Sequence, residues 1–213
     1  MNMKNKIITV LVLAGLMVVT SAKATTVVFD NITGITHTGQ DNQAAIGPIY
    51  GSFTSAGTAQ QLTSLELQLW GPSTFVGAGT ITIGLYSDSS TSPGALITST
   101  TILESAISGG YNNYFFSLGN PLLAASARYW IGLSDTGQAV GWAWTHDVSG
   151  PGVSGEWIAH SGSPGVWDNP PNGGYMMKVV EDVRTNGVPD AGSTASLLGL
   201  ALAGLIGLRR KLA

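Results

Sequence analysis

Between residues 25 and 187 the chain alternates between apolar and polar positions. In Leu65-Glu66-Leu67-Gln68-Leu69 three leucines fall on one side of an extended backbone and polar groups on the other, and Thr80-Ile81-Thr82-Ile83-Gly84-Leu85 repeats the pattern. Successive side chains of a strand point to opposite faces, so a period of two suits a strand with one face on a core. Short runs rich in Val, Ile, Thr, Leu and aromatics recur at residues 26–29, 62–70, 80–86, 96–103, 114–118, 129–133, 140–144, 156–159 and 175–180. Turn-forming stretches separate them, among them Gly71-Pro72-Ser73, Ser87-Asp88-Ser89-Ser90, Ser92-Pro93-Gly94, Gly109-Gly110 and Gly150-Pro151-Gly152. No segment between the two ends sustains a helical period. About nine or ten strands at this spacing predict an all-β fold, two packed antiparallel sheets in a jelly-roll-like β-sandwich.

The pattern changes at both ends. Lys4 and Lys6 precede an apolar run at residues 7–19, and Ala22-Lys23-Ala24 places small residues where a signal peptidase reads them. This is the layout of a secretory signal peptide over residues 1–24, a helix cleaved so that the chain continues from about Thr25. At the other end no charge interrupts residues 195–208, after which Arg209, Arg210 and Lys211 form a basic end. As a helix that run covers roughly 20 Å at about 1.5 Å per residue, short of a bilayer core of about 30 Å. It predicts a marginal transmembrane helix with its basic end held on the cytoplasmic side. The organisation expected is a signal peptide, an ectodomain at 25–184, a short stalk at 185–187 and a C-terminal targeting segment at 188–213.

Val188-Pro189-Asp190-Ala191-Gly192-Ser193-Thr194, an apolar helix and Arg-Arg-Lys in immediate succession resemble the VPDSG-type branch of the PEP-CTERM sorting signals. Ala191 stands where the motif has serine. The resemblance implies a cell-envelope protein that is the substrate of an exosortase, a membrane-embedded protease or transpeptidase, with Val188, Pro189, Asp190 and Gly192 as recognition residues. Proline stiffens an extended segment and Gly192 leaves the backbone accessible. The middle of the chain resembles, more faintly, the choice-of-anchor β-sandwich domains. It does so through Val-Phe-Asp-Asn near the start, Gly-Pro-Ile-Tyr-Gly-Ser-Phe, Leu-Tyr-Ser-Asp followed by Ser-Pro-Gly, Tyr-Trp-Ile-Gly-Leu and Trp-Ala-Trp.

Charge sharpens the picture. The whole chain carries −3, but residues 25–187 hold three basic against eleven acidic residues, a net −8. Six of the nine basic residues lie in the targeting ends. A domain this acidic excludes nucleic acid as a partner, because that affinity rests on neutralising phosphates. The chain has no cysteine, which excludes disulfides, thiolate metal sites and cysteine nucleophiles.

Candidate chemistry is sparse. His37, His146 and His160 lack paired-ligand spacing, and no Gly-x-Ser-x-Gly elbow occurs. Glu66, Glu104 and Glu156 could supply a glycosidase carboxylate pair but read as solvated-face residues. Calcium could use Asp88 or Asp168 with loop carbonyls, without the ligand spacing of a dedicated loop. Trp142 and Trp144 alternate and so share a strand face, either a sugar-stacking platform or, the reading favoured here, a core layer. Trp130, Trp157 and Trp167 fall in the same half, and Trp167, beside Asn169-Pro170-Pro171, is expected on an exposed loop.

The sequence thus points to an exported envelope protein that is not an enzyme and needs no cofactor or metal. Its partners would be signal peptidase, an exosortase-like membrane protease and the membrane. Its role would be structural or adhesive in the extracellular matrix. The competing reading is a carbohydrate-binding module that holds extracellular polysaccharide on Trp142, Trp144 and Trp167.

Overall fold

The computed structural model describes residues 25–42, 47–74, 79–160 and 174–182, and the backbone of 166–168. All of them lie within one compact unit, Ala24–Arg184. The expected signal helix, the stalk and the C-terminal apolar helix lie outside the described residues. Among the described residues no helix is long and apolar enough to cross a membrane.

The strands are β1 (Thr25–Asp30), β2 (Gly39–Asn42), β3 (Ile49–Thr54), β4 (Gln60–Gly71), β5 (Thr80–Asp88), β6 (Pro93–Leu103) and β7 (Gly110–Phe116). They continue with β8 (Leu122–Leu123), β9 (Arg128–Asp135), β10 (Gly141–Trp144), β11 (Trp157–His160), β12 (Val166–Asp168) and β13 (Met177–Asp182). A 3-10 turn, Glu104–Ala106, follows β6. The fold is all-β. A seven-stranded sheet runs β1-β13-β4-β10-β2, with β7 and β8 on the other side of β4, and a six-stranded sheet runs β12-β11-β3-β9-β5-β6. Every pairing is antiparallel. The arrangement is consistent with a β-sandwich.

The central strand of the larger sheet is β4, and its alternation does what the leucine pattern demands. Leu65, Leu67 and Leu69 are buried, while Glu66 and Gln68 lie on the opposite face. Facing them from the smaller sheet are Ile49, Phe53, Ile81, Ile83, Leu85, Ile131 and Leu133, all in one hydrophobic core. Full burial of each aliphatic side chain contributes roughly 1.5–3 kcal/mol. Leu62 is buried as well, although it stands three residues before Leu65. The ladder explains the change of phase. Ser64 pairs with Val180 and Leu62 with Glu181, so Thr63 is an extra residue, a β-bulge whose hydroxyl donates to the Val180 carbonyl at 3.3 Å.

β13, the last strand described, is not an edge strand. It lies between β1 and β4, and Thr25 pairs directly with Asp182.

Candidate functional site

The two tryptophans of β10 share a face, and that face is the interior. Trp142 is fully buried, its ring stacked on Tyr175 at 4.9 Å and 22°. Its indole N–H donates to the Met176 carbonyl at 2.9 Å. Tyr175 donates in turn to Asp41 Oδ2 at 2.8 Å, and burial, reinforced by the Asp41 charge, pushes its phenol far above the ordinary range. Trp144 is half-buried against the same core and meets His146 edge-on at 4.9 Å. Trp142 therefore cannot stack on a sugar, because neither face of its ring reaches solvent. The loop expected around Trp167 is also corrected: its backbone belongs to β12 and pairs with Ile158. The side chains of Trp167 and Asp168 lie outside the described residues.

The carboxylates divide by environment. Glu66 is partly exposed, accepts from Asn113 Nδ2 at 2.9 Å and stands opposite Lys178 in the ladder. Glu104 and Glu156 are 3% and 4% exposed, which corrects their reading as solvated-face residues. Glu104 shares a hydrogen bond with Asp135; that contact, and then burial, holds its carboxyl above the usual range. Asp135 accepts the Gly137 and Val140 amides at 3.2 and 2.9 Å, so the pair closes the turn into β10. Glu156 accepts the Ser52 and Thr54 hydroxyls at 2.5 Å each and the Arg128 Nε–H at 3.3 Å. It ties β3 and β9 to the segment leading into β11. Asp88 accepts the indole N–H of buried Trp130 at 2.8 Å and the Thr91 amide at 3.4 Å, and so caps the β5–β6 hairpin. Among the described residues no group of three or more His, Asp or Glu could hold a metal ion.

Two aromatic arrangements outside the core were not singled out by the sequence. On the smaller sheet Tyr50 and Tyr86 meet edge-on at 5.4 Å over Gly84 and Gly132; a Cβ on Gly132 would stand 2.6 Å from one ring and 2.7 Å from the other. Burial pushes both phenols up, and Tyr86 adds to the effect on Tyr50. On the larger sheet Tyr111, Trp70, Gly141 and Asn42 stand directly across from one another on β7, β4, β10 and β2. Trp70 is partly exposed. Tyr111 carries His37 stacked on its ring at 3.6 Å, and its hydroxyl donates to Gln40 Oε1. The signal for Trp70 was in the sequence: it keeps phase with Glu66 and Gln68, not with the leucines.

The expected sorting residues Val188, Pro189, Asp190 and Gly192, the basic end Arg209, Arg210 and Lys211, and the signal-cleavage residues Ala22 and Ala24 lie outside the described residues. Comparison with known families bears on the first two groups. A family model, the VPDSG-CTERM motif, matches residues 187–212. The chain carries a PEP-CTERM-type sorting signal. The VPDSG-CTERM motif implies processing by an exosortase-like membrane protein and supports export and association with the cell envelope. The motif lies wholly beyond the last described strand, so the likeness of the β-sheet unit to choice-of-anchor domains rests on the sequence resemblance alone. No curated protein of similar sequence was found.

Proposed function

We propose that this chain is a non-enzymatic component of the bacterial cell surface or extracellular matrix, exported through the signal at residues 1–24 and delivered by its C-terminal signal. The β-sheet unit is the cargo, a jelly-roll-like ectodomain of the choice-of-anchor kind with a structural or adhesive role. The observation that carries the reading is the match of residues 187–212 to the VPDSG-CTERM motif. The physical pattern agrees with it: a short uncharged run ending in Arg209-Arg210-Lys211 can hold the segment in a bilayer while the processing enzyme acts, and is marginal as a permanent anchor.

Replacing Pro189 and Asp190 together by alanine, in a host that contains the exosortase, tests this reading. Intact-mass spectrometry of the membrane and secreted fractions should then show the unprocessed tail accumulating in the membrane. Processing identical to that of the native chain would mean that the segment is a plain anchor.

A further inference from the structure

The outer face of the larger sheet carries a row that is aromatic, amide-rich and uncharged. Tyr111, Trp70, Gly141 and Asn42 cross four strands in register. At strand spacings of about 4.8 Å the row is about 14 Å long, with Tyr111, Trp70 and Asn42 partly exposed and Gly141 buried between them. Gly141 is the informative position. It stands directly opposite Trp70, and a Cβ there would lie 2.5 Å from Asn42 Oδ1 and 2.7 Å from Gln40 Cγ. The missing side chain lets two amides fold over the backbone beside the indole. Directly opposed positions lie only about 4.5–5.5 Å apart between Cβ atoms, which places these amide side chains within about 8 Å of the Trp70 Cβ. Gln40 is fixed by the Tyr111 hydroxyl, which donates to its Oε1 and leaves its amide nitrogen as the donor end. Tyr111 is itself held by His37 stacked on its ring and by packing against the small cluster of Ile32, Ala143 and Met176.

We infer that this face is a binding site for a neutral polysaccharide chain, with Trp70 as the stacking ring and Asn42 and Gln40 as the hydroxyl-recognising amides. An amphipathic ring beside fixed amide donors and acceptors matches a sugar ring, which has apolar C–H faces and a rim of hydroxyls. Charge selects the kind of polymer. The row itself holds no carboxylate and no cationic Lys or Arg, while residues 25–187 carry −8. A polyanion would be repelled by the domain and find no cation to hold it, whereas a neutral chain meets neither obstacle. The inference rests on the geometry of this face and is independent of the sorting reading, so either can fail without the other. It also transfers the carbohydrate reading from buried Trp142 to a tryptophan on the solvent face.

The test is affinity electrophoresis of the purified full chain in mild detergent, through native gels containing hydroxyethylcellulose, laminarin, dextran or alginate. Retardation is expected in at least one of the three neutral polymers and not in alginate. Trp70→Ala should weaken that retardation about tenfold and Asn42→Ala by a smaller factor, while Leu122→Ser, a change at an exposed leucine elsewhere, leaves it unchanged. A variant-free readout guards against misfolding: the retarding polymer should protect Trp70 of the native chain from oxidation by N-bromosuccinimide, followed by peptide mass spectrometry. Absence of retardation in all three neutral polymers, retardation in alginate alone, retardation indifferent to Trp70→Ala, or no protection of Trp70 would each overturn the proposal.

Discussion

Glu156 shows what a single residue can hide from a sequence. It opens a short apolar run and reads as a solvated carboxylate, yet it is buried, because Ser52, Thr54 and Arg128 converge on it from strands distant in the chain. No spacing rule connects positions roughly a hundred residues apart, and only the register of β3 against β9 and β11 brings them together. Ser52 accepts the Trp157 amide at 2.7 Å, so its own hydroxyl proton is directed at Glu156. Glu156→Gln therefore places an NH2 group where an acceptor is needed and should cost about 1–3 kcal/mol, measured by urea denaturation. An unchanged midpoint would mean that the network is not contributing. Trp142 was more legible, since large aromatics in a sandwich usually serve the core. Trp70 was equally legible from its phase with Glu66 and Gln68, although it stands apart from the five tryptophans of the C-terminal half.

At the level of elements, alternation fixed the strongest strands. The run expected at residues 62–70 becomes β4, Gln60–Gly71, and that at 80–86 becomes β5, Thr80–Asp88. Strands without such a run were missed. β2 is Gly39–Asn42, four polar or small residues that are paired because β10 presents its edge to them. β3 contains Gly51 and Ser52, which interrupt an otherwise apolar alternation, and Gly51 faces Trp142 and Met177 where a larger side chain would stand. The bulge at Thr63 had no sequence signature either, since it is set by the partner strand. β4 pairs with four other strands, so its core face should be unusually sensitive. Leu67→Ala, at a fully buried position opposite Met177 and Tyr114, is expected to lower stability by about 2–5 kcal/mol in thermal or urea unfolding. A loss comparable to that of an ordinary surface substitution, within about 0.5 kcal/mol, would contradict the place assigned to this strand.

The whole molecule responds to pH through groups that pull in opposite directions. Burial holds the Glu181 carboxyl above its usual range despite the Ala56 amide that donates to it at 3.1 Å. Its contribution to stability is fully present below the unfolded value of about 4.3 and is lost as pH rises through the folded one. Asp30 behaves in reverse. Burial pushes its carboxyl up, but the Lys178 ammonium at 2.9 Å and the Thr33 and Ile32 amides together outweigh burial and bring it below its usual range. Its contribution is present above about pH 3.9 and is lost as pH falls through the lowered value. Glu181→Gln keeps an acceptor for Ala56 without the ionisable group. Its urea midpoint relative to the native chain should rise as pH is raised above about 4.3, until the folded carboxyl ionises. A difference that stays flat as pH rises above that value would show that Glu181 ionises alike in the folded and unfolded chains, so that burial does not raise it. The position of β13 has a mechanical consequence as well. The chain beyond Asp182 leaves from a strand flanked on both sides, by β1 and by β4. Tension drawn along that strand loads both ladders in shear, so their hydrogen bonds share the force and do not peel one at a time. A pull on the domain through its own tail is thereby shared between two ladders instead of one.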